Sequence, residues 1–125
     1  MHVLLAEDDP DDIDLFREAL ADNNVRCSVT SITKGDEVIP FLQECPVLPD
    51  IIVLDLNLPK VSGQQILQQI KTLEPLEKIP VLILTTSGSK SDYEICMSGG
   101  ANKFITKPTS NMGFTEMTEA LIAIA

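Results

Sequence analysis

The sequence predicts an α/β domain built on a doubly wound, five-stranded parallel sheet with helices on both faces. Three observations carry that expectation. Short apolar runs alternate strictly with amphipathic stretches. Three of the five apolar runs are almost continuously hydrophobic, as strands covered on both faces must be. No internal repeat, low-complexity stretch or linker interrupts the alternation. The runs read as strands are Val3-Leu4-Leu5-Ala6, Cys27-Ser28-Val29-Thr30, Ile51-Ile52-Val53-Leu54, Val81-Leu82-Ile83-Leu84 and Lys103-Phe104-Ile105-Thr106. The stretches between and after them predict helices over residues 10–22, 35–45, 62–73, 90–99 and 111–124. Pro10 suits the first turn of the first helix, and Asp9 before it suits the cap. Ser62-x-x-Gln65 and Ser91-x-x-Glu94 read as capping boxes. Pro40 falls inside the second stretch, so that helix is either kinked or shorter than the pattern suggests. Gly99-Gly100 reads as the end of the fourth helix.

At 125 residues and 44% hydrophobic content the chain can bury one core and is too short for two, so a single domain over 1–125 with no output domain is expected. No apolar run approaches the roughly 18 residues of a membrane span, and Met1 is followed by no basic leader or cleavage site. A soluble, cytoplasmic protein is the expectation. Cys27, Cys45 and Cys96 are widely spaced with no CxxC pair, which suggests neither a disulfide framework nor a thiolate metal site. A formal net charge of -10 argues against a nucleic-acid surface, which needs basic groups to replace counterions, and points to protein partners.

The common strand order for such a sheet is 2-1-3-4-5, which makes strands one and three neighbours and places the chemistry in the crevice at their carboxyl ends. Strand one runs directly into Glu7-Asp8-Asp9 and strand three into Asp55, so at least three carboxylates converge there. Bare, they repel one another, whereas a hard divalent cation with oxygen ligands makes the same cluster stable, with Mg2+ the natural occupant. Magnesium takes only one or two carboxylates and keeps water and phosphate oxygens for the rest, which leaves a carboxylate free to react. Strand four ends in the hydroxyls of Thr85-Thr86-Ser87 and strand five in Lys107-Pro108. A cation, a hydroxyl and a metal around a carboxylate can hold a phosphoryl group during in-line transfer, and an aspartate can accept it as an acyl phosphate.

Those residues resemble the response-regulator receiver domains of bacterial two-component signalling, over essentially the whole chain. The motifs are Leu4-Leu5-Ala6-Glu7-Asp8-Asp9-Pro10, Asp55-Leu56-Asn57-Leu58-Pro59 with Gly63 four residues on, Leu84-Thr85-Thr86, and Gly100-Ala101 followed by Lys107-Pro108. The resemblance implies a flavodoxin-like fold and a switch phosphorylated on Asp55 in a phosphorelay. It implies that Asp8 and Asp55 bind Mg2+ directly, Glu7 through water and Asn57 through its backbone carbonyl. Thr85 would move onto the phosphoryl group, Lys107 would be its charge partner, and Phe104 would change rotamer as Thr85 moves. The donor would be a sensor histidine kinase or phosphotransfer protein, and the output a changed surface of helix four, strand five and helix five, read by a downstream protein. Dimerisation through the last two helices is compatible with the family. The run Asp55-Leu-Asn-Leu-Pro-Lys60 resembles the stand-alone receivers partnered with phytochrome-type kinases. Glu7 replaces the more usual aspartate. Phe104 lacks a tyrosine hydroxyl, and Thr86 is bulkier than the residue often found after the switch threonine.

Taken singly, each residue has a plainer explanation. Glu7, Asp8 and Asp9 suit a helix N-terminus, Asp55 an ordinary loop, Lys107 a solvated surface, and Phe104 simple packing. Their coincidence at four strand ends makes the case. A flavin-binding electron carrier of the same fold would need a Ser/Thr/Gly-rich loop after strand one, which is acidic here. A phosphohydrolase working through an aspartyl phosphate would turn over continuously, where a switch stops near one phosphoryl group and sheds it slowly. A degenerate receiver used only as a binding surface would not need the complete set of acid, hydroxyl and lysine.

Overall fold

Residues 1–86 and 88–125 are described by the structure, a computed structural model of the chain. Five strands, β1 (His2–Ala6), β2 (Ser28–Ile32), β3 (Ile51–Leu54), β4 (Val81–Thr85) and β5 (Lys103–Thr106), form one parallel sheet in the order β2-β1-β3-β4-β5. The register pairs Ala6 with both Ile32 and Leu54, Leu54 with Ile83, and Thr85 with Thr106, so β1, β2 and β3 end level and β4 and β5 run two residues further along the same rim. β2 begins and ends later than the sequence pattern suggests. It is an edge strand, only its last residue is buried, and its apolar signal is correspondingly weak.

Alternation of side chains along the strands sorts the core into two layers. Leu4, Ala6, Ile52, Leu54, Val81 and Ile83 face one way and pack with α2 (Val38–Glu44), α3 (Gly63–Thr72) and α4 (Lys90–Ser98). Val3, Leu5, Ile51, Val53, Leu82 and Leu84 face the other way against α1 (Pro10–Asp22) and α5 (Asn111–Ile124). Each of the valine, leucine and isoleucine side chains among them, removed from water, contributes about 1.5–3 kcal/mol before the cost of ordering the chain.

The helix starts refine the sequence reading. Asp9 caps α1, its side chain accepting from the Asp11 N–H. Ser62 and Gln65 form the expected reciprocal box at α3. For α4 the cap is Ser89, which accepts from the Asp92 N–H, and Ser91 lies inside the helix. Ser89 and Ser91 are both small hydroxyl residues near the same boundary, and only the path of the chain selects between them. The stretch 35–45 divides into a 3-10 turn, Gly35–Glu37, and a shorter α2 whose third residue is Pro40. In the first helical turn an N–H has no acceptor, so a proline there costs no hydrogen bond. Gly99 and Gly100 end α4: the Ala101 N–H donates to the Cys96 carbonyl (3.0 Å) and the Gly100 N–H to that of Met97 (3.3 Å), with Gly100 at φ 103°.

α3 starts very close to the end of β3. A Cβ on Gly63 would lie 2.2 Å from the carbonyl oxygen of Asp55 and 2.7 Å from the Cα of Leu56. Both are backbone atoms that cannot swing aside. Gly63→Ala should therefore destabilise the fold by roughly 2–3 kcal/mol, an overpacking cost, read as a lower urea midpoint with an unchanged m-value.

Candidate functional site

The ladder of the sheet continues past the strand ends and sets the backbone of the site. The Glu7 N–H donates to the Ile32 carbonyl (3.0 Å), the Asp55 N–H to that of Ala6 (3.0 Å), and the Lys107 N–H to that of Thr85 (2.8 Å). Glu7, Asp55, Thr85 and Lys107 therefore sit on neighbouring strand ends, as the sequence motifs require. The loop after β3 is tied to the loop after β2, because the Pro59 carbonyl accepts from the N–H groups of both Gly35 (3.0 Å) and Val61 (2.9 Å).

Lys107 reaches across the rim. Its Nζ lies 2.6 Å from Glu7 Oε1, 2.8 Å from Asp12 Oδ2 and 2.9 Å from Asp55 Oδ2. Asp55 Oδ1 accepts from the Asn57 N–H at 3.1 Å. Glu7 Oε2 accepts from the N–H groups of Asp8 (3.0 Å) and Asp9 (3.3 Å). Glu7 and Asp55 are 3% and 4% exposed, whereas Asp8 faces solvent. Thr85 is fully buried at the end of β4 and Thr86 is exposed, while Ser87 lies outside the described residues. Phe104, two residues before the end of β5, is half-buried and meets the Tyr93 ring of α4 edge to face, with centroids 5.5 Å apart and planes at 80°.

Burial pushes Glu7 up to about 7 and Asp55 beside it adds to the rise, against the opposing pull of Lys107. Burial acts on Asp55 in the same sense, but there the Asn57 N–H and the Lys107 ammonium prevail and hold its carboxyl below the usual aspartate range. Lys107 is likewise penalised by burial, yet its three carboxylate partners lift it above the ordinary lysine value.

The cluster suits a hard cation. Glu7, Asp8 and Asp55 can each offer one carboxylate oxygen, and the three oxygens lie within 4.8 Å of one another. An all-oxygen, all-carboxylate set favours magnesium-like ions over zinc or copper. Asn57 is placed by its N–H on Asp55.

Two residues here were not anticipated. Asp12 on the first turn of α1 reads in the sequence as one more acid favourable to a helix dipole. Tyr93 reads as an exposed helical residue. Neither contact has a sequence signal, because each joins residues that only the packing of whole elements brings together.

The profile of the response regulator receiver domain matches residues 3–119. The chain belongs to that family. Among its relatives, the response regulator Rcp1 of Synechocystis is 32% identical over 124 residues, which cover 95% of this chain and 84% of Rcp1. This receiver domain also resembles the crystal structure of the phosphorylated cyanobacterial phytochrome response regulator RcpA, with a TM-score of 0.86 and 33% identity, over 96% of this chain and 89% of the other. The Mn(2+)-bound form of Rcp1 superposes with a TM-score of 0.85 and 30% identity over 98% of this chain and 91% of the other. No helix among the described residues of the receiver domain is long and apolar enough to cross a membrane.

The raised Glu7 carboxyl gives a test in metal-free protein. A carboxyl whose folded value, about 7, exceeds its ordinary 4.5 retains its proton where the unfolded chain has lost it. That stabilisation is complete below about 4.5 and is lost as the pH rises through about 7. Asp55, shifted down from 3.8, titrates below this window. Urea midpoints measured in EDTA should fall from pH 4.5 to 7.5, and Glu7→Gln, which cannot titrate, should flatten that slope.

Proposed function

We propose that this receiver domain is a phospho-acceptor switch in which Asp55 takes a phosphoryl group from a sensor histidine kinase or phosphotransfer protein. The observation that carries this reading is the Lys107 ammonium held on Asp55 Oδ2 inside a rim of carboxylates able to hold a divalent ion. An Asp55 oxygen attacks phosphorus in line, a P–O bond forms, the P–N bond of the phosphohistidine breaks, and its electron pair leaves on the imidazole. Asp55 enters this reaction ionised, because Asn57 and Lys107 stabilise its charged form. Lys107 exchanges its contact with Asp55 for a phosphoryl oxygen and neutralises charge as it builds there. Glu7, Asp8, Asp55 and the Asn57 carbonyl would hold Mg2+, which when bound supplies further neutralisation of the phosphoryl oxygens. The Mn(2+)-bound form of Rcp1 and the phosphorylated form of RcpA support both parts of the proposal.

The output follows from Thr85, whose hydroxyl would be drawn to the phosphoryl group, and from Phe104, which would turn as Thr85 vacates its place. Phe104 lies against Tyr93, so a turn of one ring moves the other on the face of α4. That face suits a protein partner. Of the seven large exposed hydrophobic residues described, Tyr93 and Ile95 belong to α4, and Met112 and Ile122 to α5. Similarity to the phytochrome response regulator RcpA and to the bacteriophytochrome response regulators RtBRR and AtBRR favours a phytochrome-type kinase as the donor. The chain then acts as a signalling component of the cytoplasm with at most slow self-dephosphorylation, its effect passing through a downstream protein.

The test is intact-mass spectrometry after incubation with acetyl phosphate. One phosphoryl adduct that requires Mg2+ and is absent in Asp55→Asn is expected, with Lys107→Ala slowing its formation about 100-fold or more. Absence of any adduct under all conditions would sink the proposal. Tyr93 is the only tyrosine and the chain has no tryptophan, so its fluorescence is a clean reporter. Phosphorylation should change that emission, and the change should vanish in Phe104→Leu.

A further inference from the structure

Lys107 has three N–H donors, and each is directed to a carboxylate: Glu7, Asp12 and Asp55. Glu7 and Asp55 also belong to the cluster whose oxygens lie within 4.8 Å of one another. In the phospho-acceptor reading, on which this inference rests, a metal ion and the incoming phosphoryl group both draw on those two carboxylates. Asp12 stands apart from the cluster. It projects from the first turn of α1, whose start is fixed by the Asp9 cap, and its hold on Lys107 requires nothing of Asp55.

The position has an electrostatic consequence. Asp12 Oδ2 and Asp55 Oδ2 both lie within 2.9 Å of the same nitrogen, so a phosphoryl group arriving on Asp55 meets an ammonium already paired with Asp12. The pair is not in bulk water. Asp12 is 29% exposed, Lys107 14%, and the two border a cleft lined by Leu15, Phe16, Leu84 and Phe114. With apolar groups on one side, the Asp12 charge is screened less than at an open surface.

We infer that Asp12 is a positioning residue that acts through Lys107: paired with the ammonium, it offsets part of the lysine's charge at the site, and so slows phosphoryl transfer from anionic donors. Glu7 and the phosphoryl group suffice to keep Lys107 in the site when Asp12 is neutral, so the charge of Asp12 governs the rate. Its removal accelerates the reaction, most of all for the donor of highest negative charge.

Two small donors separate this role from a structural one. Acetyl phosphate reacts as a dianion, its P–O bond breaking as acetate leaves. Phosphoramidate reacts as a monoanion, its P–N bond breaking as ammonia leaves. With saturating Mg2+ and low salt, Asp12→Asn should raise the second-order rate constant of adduct formation about five- to tenfold with acetyl phosphate and no more than about twofold with phosphoramidate. Adding salt should shrink the larger gain. Asp12→Glu, which restores the charge, should return both constants most of the way to the parent values. Circular dichroism and urea midpoints establish that each variant is folded. Equal gains with both donors, unchanged constants, or slower transfer in Asp12→Asn would overturn the inference while leaving Asp55 as the acceptor. A parent chain that accepts phosphoryl from neither donor would overturn the acceptor reading and this inference with it.

Discussion

Everything at the functional rim depends on one ammonium group set among acids. Glu7 and Asp55 are nearly buried and carry the same sign, and two such charges taken out of water are unfavourable twice over, by desolvation and by repulsion. Lys107 compensates with short contacts to both and to Asp12. The compensation is incomplete, as the raised Glu7 carboxyl shows. A rim left with surplus negative charge and oxygen donors attracts a cation, and the lysine holds Asp55 by a single contact.

The rest of the fold keeps that balance rigid on one side and yielding on the other. β1 and β3, which deliver Glu7 and Asp55, are buried almost throughout. β5 has no fully buried residue and α4 has only Cys96. Stability is least where burial is least, so α4 and β5 are where the molecule rearranges most cheaply. Phe104 and Tyr93 meet at that junction. Rigidity under the carboxylates and softness under the aromatic pair are consistent with a chemical event at one end of the sheet being read on an adjoining surface.

Much of the site was legible because its residues follow strands directly. A buried parallel strand announces itself as an apolar run, and the polar residue that follows it must stand at the rim of the sheet. Glu7, Asp55, Thr85 and Lys107 were all found in that way. Boundaries set by local chemistry alone were less secure. Ser91 satisfied the capping pattern as well as Ser89 did, and the glutamate three residues on made it the more persuasive reading. Pro40 left open whether the second helix is kinked or shorter than its pattern; it is shorter, and Pro40 sits in its first turn because the 3-10 turn ends at Glu37.

By itself the sequence determined the strand-helix alternation, the sheet order, the family and the acid, hydroxyl and lysine at the strand ends, because those features depend on near neighbours in the chain and on a restricted set of topologies. Only the tertiary structure decided which groups share an ammonium and which rings touch. Asp12 and Lys107 are 95 positions apart and meet because α1 packs beside the rim that β5 reaches. Tyr93 and Phe104 meet because α4 folds back over β5. Such contacts follow from the packing of whole elements, and no periodicity or local propensity in either segment encodes them.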